Sequence, residues 1–494
     1  MGRWALFAAL VCLAAAGVAG QSVTVYTTTP DLAKALKQAD KKLRFEAHKK
    51  AAGTLPVIAV DEQQRFQEID GFGASLTDSA AWLFAKKLGA AKMDEAFKML
   101  FGRKDGIALS FLRQPVGSSD LAVTFYSFDD LCEQGAKACT TKPGLADPNF
   151  EHFSLAHDQD YILPLLKKAL ELNPDAHVML TPWSAPGWMK TTGSMLGLNP
   201  ETKEAAALNP DYYQAFAAYI VKTVEGYEKA GVPVWALSAQ NEPLFATPNY
   251  SGMQMLAGEQ AKFFGEALGP ALAAAKLNVK VMAYDHNWDH PEYPETVLKD
   301  ARAGALAAGT AWHHYAGDPA AMTKFHEEFP QKDQWVTEAS GGTWQKGLDG
   351  KGNVLAEEAA ELIAVTRNWA KSYVLWAVAT DQNHGPVVGG CDTCRGLLTI
   401  DTSDATKVTF KPKLDFYVLG QASKFLYPGA VRVGSSEPTG ARVKDVAFRN
   451  RNGSVVVYTL NEGSVDEMVR VEWRRKSVVV ELPAGSVTTL VWKP

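Results

Sequence analysis

The sequence predicts an α/β fold: a (β/α)8 barrel, or TIM barrel, with an antiparallel β-sandwich at its side. Three observations carry that prediction. Eight short apolar runs alternate with helix-like segments through the middle of the chain, each run leads into polar or aromatic residues, and beyond about residue 425 the chain turns rich in Val and Thr. With 494 residues, 47% hydrophobic and 21% charged, the chain is long enough for a large core or two. A net charge of -5 and a pI near 6.1, without any long run of Lys or Arg, argue against nucleic acid or an anionic leaflet as partner and favour a neutral one.

The chain opens with "MGRWALFAALVCLAAAGVAGQ". Arg3, an apolar stretch, and small residues Val18 and Gly20 at the spacing of a cleavage site predict a secretory signal peptide over residues 1–20. The expected destination is extracellular or periplasmic. Cys12 lies too early, and after the wrong residue, for lipid attachment, and no later stretch is long and apolar enough to span a bilayer. Next, "SVTVYTTTPDLAKAL" and "LPVIAVDEQQRFQEI" alternate or cluster β-branched residues as strands do.

From "DGFGASLTDSAAWLFAKKL" onward a rhythm sets in. The candidate strands are "FQEIDGFGA", "IALSFLRQPVG", "HVMLTPWSAP", "VWALSAQNEP", "VKVMAYDHNW", "AWHHYAG", "WVTEASG" and "YVLWAVATDQN". Between them, segments such as "PDYYQAFAAYIVKTVEGYEKA" and "GEQAKFFGEALGPALAAA" repeat apolar residues at three and four and are rich in Ala, which favours helix. A doubly wound open sheet is the alternative, but no G-x-G-x-x-G turn follows the first strand. The final stretch, "AVRVGSS" to "SVTTLVWKP", is punctuated by Asn-Gly and Ala-Gly turns and reads as antiparallel β. It is short for a full sandwich, so the N-terminal strands are expected to complete it. The predicted division is 1–20 signal, 21–65 N-terminal strands, 66–424 catalytic barrel and 425–494 C-terminal strands.

Without the signal, four cysteines remain: Cys132, Cys139, Cys391 and Cys394. An even count in a chain bound for an oxidising compartment predicts disulfides. Three connectivities are open, and pairing within each local couple closes the shortest loops. A zinc site from the same thiols is the rival, against which no second short-spaced pair accompanies Cys391 and Cys394.

In such a barrel chemistry is confined to the loops leaving the C-terminal ends of the strands. Glu242 and Glu338 fall there, on the fourth and seventh runs, accompanied on others by Asp120, Trp183, His313, His314, Tyr315 and Asn383. A single carboxylate at a loop start is an ordinary helix cap or surface group. Two at corresponding exits amid aromatics suggest a pair that cleaves a glycosidic bond without metal or organic cofactor: one protonates the leaving oxygen while the other attacks the anomeric carbon. Asn241 offers an amide to a sugar hydroxyl, and Arg113 can hold the nucleophile's charge or serve as a structural ion pair inside the barrel. Trp183, Trp188, Trp312, Tyr315 and Trp344 can each present a flat face to a pyranose, though singly each reads equally as core.

These residues also carry a resemblance. "GFGASLTDSAA", "LRQPVGSSD", "TPWSAPGWMKTTG", "SAQNEP", "HHYAGD" and "TEAS", in this order, resemble glycoside hydrolase family 30, and specifically its glucosylceramidase (acid β-glucosidase) branch, over residues 65 to 425 and more weakly beyond. The resemblance implies a barrel with a side β-sandwich and a retaining mechanism. It makes Glu242 the acid/base and Glu338 the nucleophile, sets Asn241 beside the 2-hydroxyl and Arg113 behind the nucleophile, and gives Asp120, Trp183, His313 and Tyr315 sugar-binding positions. Two departures stand out: Ala379 aligns where the branch has a tryptophan beyond the eighth strand, and His314 replaces another. Both are expected to alter the sugar pocket, and "GGCDTCRGLLTID" carries a cysteine pair able to pin a lid over it.

The expected activity is a secreted retaining β-glycosidase acting on β-linked glycosides, glucosylceramide-type first, as glycolipid or oligosaccharide. The alternatives are a β-1,6-glucanase or an exo-β-glycosidase for xylose, fucose or galactose, and, from a different class, a catalytically silent carbohydrate-binding protein.

Overall fold

The computed structural model describes residues 21–47, 55–132, 138–142, 144–347, 352–438 and 442–494. The expected signal segment, 1–20, lies outside them. Among the described residues no helix is long and apolar enough to cross a membrane.

Eight parallel strands close into a barrel: β1 (Gly71–Ser75), β2 (Phe111–Val116), β3 (His177–Pro182), β4 (Ala236–Ser238), β5 (Lys280–Asn287), β6 (Ala307–His313), β7 (Asp333–Ala339) and β8 (Ser372–Leu375). Closure comes from β8 pairing with β1, from Ser372 opposite Gly71 to Leu375 opposite Ala74. Each of the eight apolar runs supplies one strand. At Gly73 a Cβ would stand 1.6 Å from the Phe111 carbonyl oxygen, so β1 and β2 approach as closely as they do only because that residue has no side chain.

Period-2 alternation stacks the interior in layers. Phe111, Met179, Ala236, Met282, Ala311, Trp335 and Val374 form one fully buried apolar layer. Two residues further along the same strands lie Arg113, Thr181, Ser238, His313, Thr337 and Trp376. Strand β5 breaks the alternation: Tyr284 and Asp285 have φ of 72° and 68°, and the pairing with β6 slips between Tyr284 and His286. That bulge turns Asp285, rather than Tyr284, into the second layer.

The sandwich joins both ends of the chain, as expected. Ser22–Thr28 pairs antiparallel with Val487–Trp492, while the long strand Val57–Ile69 pairs parallel with Glu467–Trp473 and antiparallel with Ala430–Ser435. Its core, including Ile58, Val457, Val471, Trp473, Leu490 and Trp492, is separate from the barrel's. Helix Leu414–Ser423 ties the two together: Gln421 donates to the Thr28 hydroxyl at 2.9 Å and accepts at its carbonyl from Thr489 at 2.7 Å.

Two local readings differ from the sequence expectation. The eighth run splits at Trp376, and Ala377–Asp381 leaves the barrel to pair with Gly396–Asp401 in a three-stranded sheet. The segment expected as one helix over 258–275 runs instead as Ala257–Phe263, a π-turn over Phe264–Leu268, and Gly269–Ala275. Pro270, at the start of the last piece, has no N–H to continue the ladder.

Candidate active site

The polar layer converges on Asp285. Its Oδ2 accepts from Arg113 Nη2 at 3.0 Å and Ser238 Oγ at 2.6 Å, and its Oδ1 accepts from Thr337 Oγ1 at 2.6 Å and lies 2.9 Å from His313 Nε2. Asp285, Arg113 and His313 are all fully buried. A buried charge is tolerated only when paired and hydrogen-bonded, and here each has partners from several strands. Burial opposes ionisation of Asp285, but the Arg113 guanidinium and His313 hold its carboxyl well below the usual carboxylate range.

Above this layer stand the two glutamates. Arg113 Nη1 donates to Glu338 Oε2 at 2.5 Å, and the Tyr315 hydroxyl donates to Oε1 at 2.8 Å. Glu242 lies in the loop after β4 with φ of 46°, a left-handed conformation unfavourable for a residue with a side chain. Its backbone N–H donates to the Asp285 carbonyl at 3.0 Å, which holds that conformation. Glu242 Oε1 lies 3.0 Å from His313 Nδ1 and 3.9 Å from His286 Nε2. Ligand atoms of Glu242, His313 and Glu338 all lie within 4.8 Å of one another.

A cavity of about 320 Å³ opens between the carboxylates, lined also by Asp120, Trp183, Asn241, Trp376, Cys391 and Cys394. Larger cavities of about 740 and 670 Å³ lie elsewhere, but neither is lined by two carboxylates. Trp183 stacks on Trp376 with ring centroids 4.9 Å apart, and the Arg113 guanidinium lies 4.8 Å from the Trp183 ring. Asn241 Oδ1 accepts from Arg113 Nη2 at 2.6 Å, which fixes its amide nitrogen as the end free to donate. Asp120 Oδ2 accepts from the Cys391 N–H at 3.2 Å. Burial, then the Glu338 charge, push the Asp120 carboxyl up to about 7. At the rim Phe245, Tyr315 and Trp344 are between 42% and 47% exposed, an apolar collar around a polar floor.

All of Glu242, Glu338, Asp120, Trp183, Asn241, His313, Tyr315 and Arg113 therefore meet in one site. His314 does not: its Nδ1 pairs with Glu361 at 2.6 Å and its Nε2 accepts from the Ser340 N–H at 2.9 Å, so it braces the strand end behind Glu338 instead of altering the pocket. Ala379, expected to alter the pocket, is buried in the sheet outside the barrel, opposite Leu398, and the tryptophan that lines the cavity there is Trp376. Trp188 bonds Asp129 and Trp312 bonds Gln334, both in the core, and Asn383 is exposed. Sequence reasoning missed Asp285 beneath the cavity and His286, Tyr250 and Trp376 in its lining. The visible signal for Asp285 was an acid inside the apolar run "VKVMAYDHNW".

The cysteines pair locally, Cys132 with Cys139 and Cys391 with Cys394, and the second disulfide forms part of the cavity wall. A Cβ on Gly390 would stand 1.9 Å from Asp120 Cβ, so the loop presses on that aspartate only because Gly390 lacks one. Asp130 lies near the first pair, but those sulfurs are committed to each other. In the trio Glu242, His313 and Glu338, the Arg113 guanidinium already bonds Glu338 and both imidazole nitrogens face carboxylates, so the protein's own side chains offset much of the negative charge.

Known proteins resemble this chain over both the barrel and the sandwich. The family model described as the glycosyl hydrolase family 30 TIM-barrel domain matches residues 69–426, and that of the family 30 beta sandwich domain matches residues 429–490. An endo-1,6-beta-D-glucanase of Aspergillus fumigatus is 33% identical over 445 residues, covering 86% of this chain and 85% of the relative. Lysosomal acid glucosylceramidase of Mus musculus is 26% identical over 464 residues, covering 89% and 84%. A solved structure of an endo-β1,6-glucanase superposes with a TM-score of 0.82 at 30% identity, covering 96% of this chain and 100% of that one.

Proposed function

The chain belongs to glycosyl hydrolase family 30, and on that premise we propose that it hydrolyses β-1,6-glucan with retention of configuration. The observation that carries the mechanism is the closeness of Glu242 and Glu338 oxygens, within 4.8 Å across one cavity. Retaining enzymes hold their carboxyl groups about 5 to 5.5 Å apart, whereas inverting ones leave about 6.5 to 9.5 Å for a water. Glu338, held by Arg113 and Tyr315, attacks the anomeric carbon, and Glu242 protonates the leaving oxygen. Water, deprotonated by Glu242, then releases the covalent sugar. Asn241 donates to the 2-hydroxyl, and Asp120 and Trp183 grip the far edge of the ring.

The choice of β-1,6-glucan rests on the two endo-glucanase relatives, each at least 30% identical. A second reading, glucosylceramide, draws on the six motifs and on the 26% identity to the mouse glucosylceramidase. Secretion is supported by the opening segment and by two disulfides, which persist in oxidising compartments. Purified protein should release sugar from a β-1,6-glucan with a higher kcat/KM than from glucosylceramide in detergent micelles or from a β-1,3-glucan. Preference for the glycolipid would reverse the assignment of substrate while leaving the chemistry untouched.

A further inference from the structure

Both ring nitrogens of His313 face carboxylates, Nδ1 at 3.0 Å from Glu242 and Nε2 at 2.9 Å from Asp285. A neutral imidazole has one N–H and cannot donate to both. Asp285 is an acceptor toward every neighbour, Arg113, Ser238 and Thr337 included, so Nε2 carries a proton directed at it. The line from Nδ1 to Glu242 Oε1 then holds one proton, borne either by the imidazole or by the carboxyl. We propose that this shared proton is the enzyme's general acid: His313 stores the proton that Glu242 delivers to the leaving oxygen. The inference rests on reading Glu242 as the acid/base.

The charged and titratable groups around His313 favour storage on the ring. Glu242 faces it from the loop after β4, Asp285 and His286 from β5, Glu338 from β7 and Arg113 from β2, whose Nη2 is 3.5 Å from Nε2; the Tyr315 ring lies 6.2 Å from it. Burial resists a charge on His313, but Glu338, Asp285 and Glu242 together hold it at about 9. Burial pushes Glu242 upward, yet the hydrogen bond from His313, then His286 and Arg113, draw it below its ordinary value. An acid held ionised before it acts needs a proton source, and His313 is in contact with it.

The step balances. When Glu338 bonds the anomeric carbon its carboxylate becomes a neutral ester, removing the foremost charge that favours imidazolium. The shared proton passes to Oε1 and on to the glycosidic oxygen as the carbon–oxygen bond breaks. In the second half, the pair recovers a proton from the water whose oxygen displaces Glu338. His313 is thus a positioning and proton-storing residue acting through Glu242.

Two leaving groups separate the roles: 2,4-dinitrophenolate, which departs without a proton, and an alkoxide, which requires one. Glu242→Gln should lose kcat/KM on the alkyl glucoside and keep it on the dinitrophenyl glucoside; if it does not, the acid/base reading itself fails. His313→Gln retains a donor toward Glu242 but cannot carry a proton. It should lose about 100-fold on the alkyl glucoside only, and the alkaline limb of kcat/KM should move down from about 9. Equal losses on both substrates, or an unmoved limb, would overturn the proposal while Glu242 kept its role. Nitrogen-15 NMR of histidine-labelled wild-type protein needs no variant. It should find a doubly protonated ring at neutral pH that titrates lower once Glu338 is esterified with a 2-fluoroglucosyl group, and a neutral His313 in the free enzyme would contradict storage.

Discussion

Two layers fill the barrel on the same strands, two residues apart except on β5, where the bulge makes it three, and they cohere by opposite means. The apolar layer of Phe111, Met179, Met282 and Trp335 is held by exclusion of water, to which each side chain contributes roughly in proportion to its own area. The layer of Arg113, Asp285, His313 and Thr337 is held by mutual completion, since each charge is stable there only because the others are present. One periodicity, interrupted by the bulge on β5, thus builds both a plug and a platform for chemistry. Truncation in the plug should cost stability locally, whereas any loss from the platform should cost stability and catalysis together.

That contrast can be broken from either side. The largest effect should come from Glu338→Gln, which leaves the fold intact and lowers kcat by about 10⁴-fold; activity on an aryl β-glucoside near the wild-type level would remove the platform's purpose. Next is Arg113→Met, which strands the buried charges of Asp285 and Glu338. It should lower unfolding free energy in urea by about 3 to 5 kcal/mol and reduce turnover as well, by less than Glu338→Gln does. Met282→Ala, one layer below, should cost a similar 2 to 5 kcal/mol, approximately, through its cavity, yet keep kcat/KM close to wild type at temperatures where it is folded. A matching loss of activity would erase the distinction between layers.

A subtler effect separates the layers by pH. His313 sits at about 9 against an ordinary value of about 6.5, so its stabilisation is complete below the ordinary value and disappears as pH rises through about 9. Asp285 is depressed, so its share is present above the ordinary carboxylate range and is lost progressively as pH falls from that range through its depressed folded value. Melting temperature should therefore decline from near neutrality toward about pH 9 in the wild type, and the decline should shrink in His313→Gln. The smallest change should follow Trp344→Ala at the exposed rim, a rise in KM of several-fold, worth about 1 kcal/mol of stacking, with kcat unchanged.

Much of this architecture can be read from the chain itself, because alternation and turn chemistry are local. The eight apolar runs mark all eight strands, and the Val- and Thr-rich ends mark the sandwich. Glu242, Glu338 and Arg113 were legible as polar residues at strand exits. Asp285 was not, since its inward direction depends on a bulge with positive φ at two ordinary residues, which no pattern of apolar spacing reveals. Trp376 was hidden by the splitting of the eighth run, where one apolar stretch serves two sheets. His314 was expected to alter the pocket because it stands where the resembled branch has a tryptophan, but adjacent residues face opposite ways, and it turns to Glu361.

The claim beneath all of this is that Glu338 forms a bond to the sugar while Glu242 stands across from it. Incubation with 2,4-dinitrophenyl 2-deoxy-2-fluoro-β-glucoside, followed by proteolysis and mass spectrometry, tests it directly. A single fluoroglucosyl adduct on the peptide bearing Glu338 is the predicted result, and absence of any adduct from an enzyme that turns over the parent glucoside, or an adduct on Glu242, would contradict it.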